Sequence, residues 1–187
     1  MIRAGALLVC SALVTACAQS SGSGVMEMRG YAFPPPAFKE FCAREKSLCS
    51  TSGSARMVEL TAARKAELAK VNTSVNQRID EQRDFETSGV DDRWELAKYR
   101  GDCEDIAILK KSELMKLGWP ASVLLLTVAR SGGEGHTVLT VRTSEGDLVL
   151  DNMTSAIRVW SHTPYRYFAR QSQSDGRSWE RIGSGQS

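Results

Sequence analysis

The apolar residues of this chain change their period once, near Gly118-Trp119-Pro120, and that change restricts the fold to a few architectures. From about Val58 to Phe85, Leu60, Leu68, Val71, Val75 and Ile79 recur at helical spacing among Lys, Glu and Arg, which predicts one or two amphipathic helices. Asp91 to Arg100 is charged and interrupted by Trp94 and Tyr99, the pattern of a loop or short helical turn. A further helix is expected to begin near Cys103, where Asp102 can cap it and Asp105 follows three positions later; Gly118-Trp119-Pro120 ends it. Ile106, Ala107, Ile108, Leu109, Leu114, Met115 and Leu117 make that helix apolar on most sides, so it belongs in the core. Beyond it, Ser122 to Ala129 is a nearly continuous apolar strand. His136 to Arg142 and Leu148 to Asp151 are β-rich, with Ser144-Glu145-Gly146-Asp147 as the turn between them. Helices first and an antiparallel sheet afterwards make an α+β fold. The aromatic tail, Tyr165, Tyr167, Phe168 and Trp179, closes the sheet or packs over it.

With 187 residues, 42% of them apolar, the chain can bury the core of one domain but hardly two, which directs the search to a single site. Its 24 basic and 22 acidic residues are scattered, so no basic field points to nucleic acid or anionic lipid. At the N-terminus Arg3 precedes an apolar stretch, Ala4 to Val14, that is short for a bilayer span and ends in small residues, as an export leader does. Two processing routes stay open. Val14-Thr15-Ala16-Cys17 looks like a lipoprotein box that would leave Cys17 lipidated, and Ala16-Cys17-Ala18 fits simple cleavage. Residues 1–17 are thus expected to be the leader, 18–33 a flexible tether and 34–183 the folded domain, in the periplasm or anchored to the envelope. Contact with a membrane is expected only through the lipid.

Export places Cys42, Cys49 and Cys103 in an oxidising compartment, where three thiols cannot all pair. Cys42 and Cys49 flank a short loop and make a natural local disulfide, the alternative being two buried thiols. Cys103 is then the odd cysteine, and a thiol at a helix N-terminus is favoured as a thiolate by the macrodipole and the free N–H groups, which can also cradle an oxyanion. Of the two histidines, His162 sits among loop residues, whereas His136 starts a strand after Gly132-Gly133-Glu134-Gly135, where a side chain can face a cleft. A hairpin loop with an even number of residues centred near Glu145 places Asp151 opposite an even-numbered residue such as Val138 or Thr140. The carboxylate then shares the face of His136 and can hold the imidazole in one tautomer. Against a thiolate stand Asp102, Glu104 and Asp105, whose charges raise a thiol's pKa if they face the sulfur. They can instead cap the helix, pair with Arg100 or Lys110, or ligate calcium through oxygen. Two histidines and one free thiol give no zinc spacing, and nothing calls for an organic cofactor.

Gly101-Asp102-Cys103-Glu104-Asp105, His136-Thr137-Val138-Leu139 and Val149-Leu150-Asp151-Asn152 together resemble the bacterial transglutaminase-like cysteine proteinases, a periplasmic branch of the papain-like superfamily. The similarity runs from about Phe38 to Trp179. It takes in Phe41-Cys42 to Cys49, Val75-Asn76, Asp92-Arg93-Trp94 and Tyr165 to Ser172. The resemblance implies a papain/transglutaminase-like fold and a triad of Cys103, His136 and Asp151. In the best understood branch it implies cleavage of a large surface adhesin and calcium held by residues matching Asp102 and Glu104. Ile106 departs from the aromatic that often follows the GDCED string. The leading expectation is an exported cysteine protease acting on an envelope or surface protein through an acyl-enzyme. Its rivals are transglutaminase-type acyl transfer and a non-catalytic calcium-binding envelope lipoprotein.

Overall fold

A computed structural model describes residues 24–82 and 92–183. The leader, the lipidation candidate Cys17 and the first part of the expected tether lie outside the described residues. The chain order is β1 (Met28–Ala32), α1 (Phe38–Arg44), α2 (Lys46–Cys49), α3 (Ala62–Arg78), β2 (Asp80–Glu81), β3 (Arg100–Gly101), α4 (Cys103–Lys116), β4 (Leu124–Ser131), β5 (Glu134–Thr143), β6 (Gly146–Leu150), β7 (Arg158–Val159), β8 (Arg166–Gln171) and β9 (Trp179–Ile182). Short 3₁₀ turns precede β4 and follow β7. Seven strands form one antiparallel sheet in the order β1-β9-β8-β4-β5-β6-β7, and β2 and β3 pair separately in parallel. This is the α+β arrangement that the change of period predicts.

The helical spacing of Leu68, Val71 and Val75 becomes the buried stripe of α3, whose Thr61 accepts from Arg64 N as an N-cap. Helix α4 is wedged between α3 and strands β4 and β5, which is why it is apolar nearly all round. Leu124, Leu126, Leu139, Val141 and Leu150 cover it from the sheet. On the other face a smaller cluster gathers Met26, Val138, Val149, Trp160, Tyr165, Tyr167 and Ile182. Trp179 of β9 packs edge-on against Phe38 and Trp94, so the aromatic tail does close the sheet.

Two hairpins set the register. Gly132 and Gly133, with φ of 58° and 95°, turn β4 into β5. Between β5 and β6, Thr143 faces Gly146, leaving the two-residue loop Ser144-Glu145; Leu139 then faces Leu150. One step further, Val138 falls opposite Asp151, as an even loop requires. The tether expectation for 18–33 departs from the structure at its C-terminal end. Residues 28–32 pair with β9 as an edge strand, because Met26 and Met28 have an apolar cluster to join and the β9 edge offers free ladder groups.

Candidate active site

Cys103 is the first residue of α4 and carries the free thiol among the described residues. Its position depends on the glycine and the last acid of the GDCED string. An added Cβ at Gly101 would come within 2.8 Å of Asp105 Cβ, so only glycine lets the chain pass this close. Asp105 in turn accepts from Glu95 N at 2.7 Å, tying the 92–101 segment to the helix. Asp102 occupies the N-cap position in extended geometry but makes no side-chain cap hydrogen bond, a correction to the expected capping role.

The sulfur lies against the strand that carries the imidazole: Thr137 N–H donates to Cys103 Sγ at 3.3 Å, one residue after His136. Cys103 and His136 line one cleft of about 290 Å³, rimmed by Glu81, Asp102, Glu104 and Glu134. His136 is buried and bonds Asp151 Oδ1 through Nε2 at 3.0 Å. Asp151 Oδ1 also accepts from Met153 N at 3.1 Å, and Asn76 Nδ2 from α3 holds the Asp151 carbonyl at 2.8 Å. The second carboxylate oxygen, Oδ2, accepts from the hydroxyl of Tyr165. Burial alone would raise the Asp151 pKa, but the bonds from His136 and Tyr165, the imidazole's charge and Met153 N together hold it below its ordinary value. The three side chains singled out in the sequence thus gather at one end of the sheet. His162 is exposed, in the 3₁₀ turn after β7.

Of the alternatives open to the acids around the thiol, Glu104 takes the one that opposes a thiolate. The Glu104 carboxylate faces the sulfur, and Cys103 Sγ donates to Glu104 Oε2 at 3.1 Å. Burial first, and the neighbouring Glu104 charge second, push the Cys103 thiol far above its usual pKa. Glu104 is itself raised, by burial and by the nearby charges of Asp102 and Asp92. Burial and the facing carboxylate thus act against the macrodipole at this sulfur.

Glu104 beside the charge of Asp102 makes a hard-oxygen donor pair with surplus negative charge, which suits calcium rather than a softer ion. Among the described residues no group of three or more His, Cys, Asp or Glu side chains is arranged to hold a metal, so a calcium ion held by Asp102 and Glu104 would need further donors. A larger groove of about 710 Å³ along Arg93 to Arg100 has neither thiol nor imidazole on its walls.

In the sequence Tyr165 belongs to the aromatic tail and has no part in the expected site. It precedes β8, 14 residues after Asp151, and nothing local announces that its hydroxyl reaches the carboxylate. Compared with known proteins, residues 28–187 match the sequence model of the bacterial transglutaminase-like cysteine proteinases. Among solved structures, calcium-bound LapG of Legionella pneumophila is 28% identical with a TM-score of 0.51, the match covering 74% of this chain and 77% of that one. EGTA-treated LapG of the same organism is 29% identical with a TM-score of 0.50, over 74% and 75% of the two chains. No curated protein sequence matches.

Proposed function

The chain belongs to the bacterial transglutaminase-like cysteine proteinases and is a cysteine peptidase; from that premise we propose that Cys103, His136 and Asp151 are its nucleophile, base and orienter, acting on an envelope or surface protein. With Nε2 engaged by Asp151, His136 has Nδ1 left to take the thiol proton, and Asp151 stabilises the imidazolium. The sulfur attacks the scissile carbonyl, and N–H groups at the start of α4 receive the charge on oxygen. The imidazolium then protonates the leaving amine, and a water activated by His136 hydrolyses the thioester. The observation that carries this reading is the Thr137 N–H to Cys103 Sγ contact, which sets the helix-borne thiol beside the strand of the base.

Asp102 and Glu104 are the residues that would hold calcium, and a calcium-bound solved relative supports calcium as the ion. When bound, the ion supplies positive charge that offsets the carboxylates around the thiol. The protein side chains hold the sulfur, the imidazole and the orienting carboxylate. A large surface adhesin is the proposed substrate, and the folded domain, with its docked N-terminal segment and β1, carries the activity. Export directed by the N-terminal leader, with cleavage before Cys17 and lipidation of that residue as the new N-terminus, completes the reading. A mature-protein mass that begins at Cys17 with added lipid supports it, and an unmodified start after Ala18 replaces anchoring by free secretion.

The test of function is incubation of the purified protein with an envelope proteome, with and without a calcium chelator. A discrete cleavage product that disappears with Cys103→Ala, while the variant keeps its circular dichroism, is the expected result. Undiminished cleavage by Cys103→Ala rejects the nucleophile assignment.

A further inference from the structure

Asp151 is 2% exposed, so each of its oxygens must find its donors inside the protein. Oδ1 has two, His136 Nε2 and Met153 N–H. On Oδ2 the structure places the Tyr165 hydroxyl. Without that donor a buried carboxylate oxygen would be unsatisfied, and the group could turn about its χ2 to seek another partner. The same side chain touches the base directly, its ring lying 4.9 Å from the His136 ring at 60°. Tyr165 is in turn fixed by Tyr167, 6.2 Å away edge-on, whose hydroxyl is 2.9 Å from that of Thr163.

Resting on the triad assignment above, we propose that Tyr165 is a positioning residue for peptide hydrolysis: its hydroxyl fixes the Asp151 carboxylate through the oxygen that does not bond the base, while its ring seats the imidazole. A tyrosine that merely filled the core would leave the histidine's hydrogen bond indifferent to the hydroxyl. A positioning tyrosine transmits its loss to His136, two bonds away through the carboxylate.

The chain has only two histidines, which makes the effect directly readable. In ¹⁵N-histidine-labelled full-length protein, with His162→Asn to assign the signals, wild type should show a downfield, exchange-protected His136 Nε2 proton near neutral pH. Tyr165→Phe keeps the ring and should broaden or abolish that signal. It should also lower kcat about tenfold, with KM within twofold, on the envelope protein cleaved in the proteome assay. An unchanged proton signal together with wild-type kcat in Tyr165→Phe overturns the proposal, as does absence of the protected proton in wild type itself. Failure of the two readings is distinguishable. Cleavage surviving Cys103→Ala sinks the triad assignment, whereas an inactive Cys103→Ala beside a fully active Tyr165→Phe sinks only the role of Tyr165.

Discussion

Asp151 stays ionised where burial alone would favour its neutral form, because three donors, His136, Tyr165 and Met153 N–H, converge on one carboxylate. A pKa held lower in the folded state than in the unfolded chain is a contribution to stability. For a carboxyl group the sign is fixed: the contribution is complete above the unfolded value and is lost as pH falls through the folded one. The ordinary value is 3.8, so the loss falls in strongly acidic solution. Asp151→Asn should therefore melt below wild type at pH 7, by about 1 kcal/mol or more and hence a few degrees. The gap should close as pH drops below that ordinary value. Melting curves of both proteins between pH 7 and 2 check this, and a gap that stays constant to pH 2 would refute the depressed pKa. At this scale the sequence was informative wherever parity or a helix start decides a position. Two-residue spacing along β5 and an even loop put Asp151 on the face of His136, and the cap pattern put Cys103 at the head of α4. The direction of the Glu104 side chain and the reach of the Tyr165 hydroxyl depend on rotamers and tertiary packing, which no local pattern encodes.

Helix α4 carries two buried lysines among its apolar residues, Lys110 and Lys111, and their treatment differs. Lys111 Nζ donates to the Ser50 carbonyl and to Gln171 Oε1, both at 3.2 Å, and so joins α4 to α2 and β8. Lys110 Nζ has no hydrogen-bond partner among the described residues. Burial pushes its pKa down to about 7, the Asp151 charge opposing only in part. In the unfolded chain the amine stays charged to about pH 10.4. Between those values the unfolded state binds more protons, so stability rises with pH, and below about 7 the full cost of a buried ammonium is present. Lys110→Met keeps the stem's volume and removes the amine. It should stabilise the protein by roughly 1–2 kcal/mol at pH 6 and by clearly less at pH 10, as urea midpoints would show. Equal midpoints for the two proteins at pH 6 would mean that the amine is solvated. The period of α4 announced a core helix, but Lys reads in a sequence as a solvent face. Only the sandwich of α4 between α3 and the sheet makes these positions interior. The strands were legible for the opposite reason: in β4 to β6 composition, alternation and turn chemistry all agree.

The part of the whole molecule least legible in the sequence is its N-terminal edge. Met28–Ala32 has three exposed residues and an internal glycine, so it lacks the alternation that marks a strand, and the serine-glycine stretch before it reads as linker. What draws it onto the sheet is distant. The buried Asp147 carboxylate, next to the β5–β6 turn, accepts from Met26 N at 2.7 Å and from Arg170 at 2.8 Å, while Asp147 N donates to Gly24 O. Gly146 permits this approach, since an added Cβ there would lie 2.2 Å from Gly24 O. Met26 is 1% exposed, in the cluster that also holds Tyr165 and Tyr167, so the docked segment forms part of the support beneath the proposed site. If residues up to 33 were only a tether, a chain starting at residue 34 would be as stable as one starting at residue 24. Removing them should instead leave Asp147 one donor short and open the Met26 position to water, lowering stability by about 2 kcal/mol or more. The truncated protein should also label faster with iodoacetamide at neutral pH only if the site loosens with its support. Urea midpoints for the two chain lengths decide the main point, and coincident midpoints would return residues 24–33 to the tether.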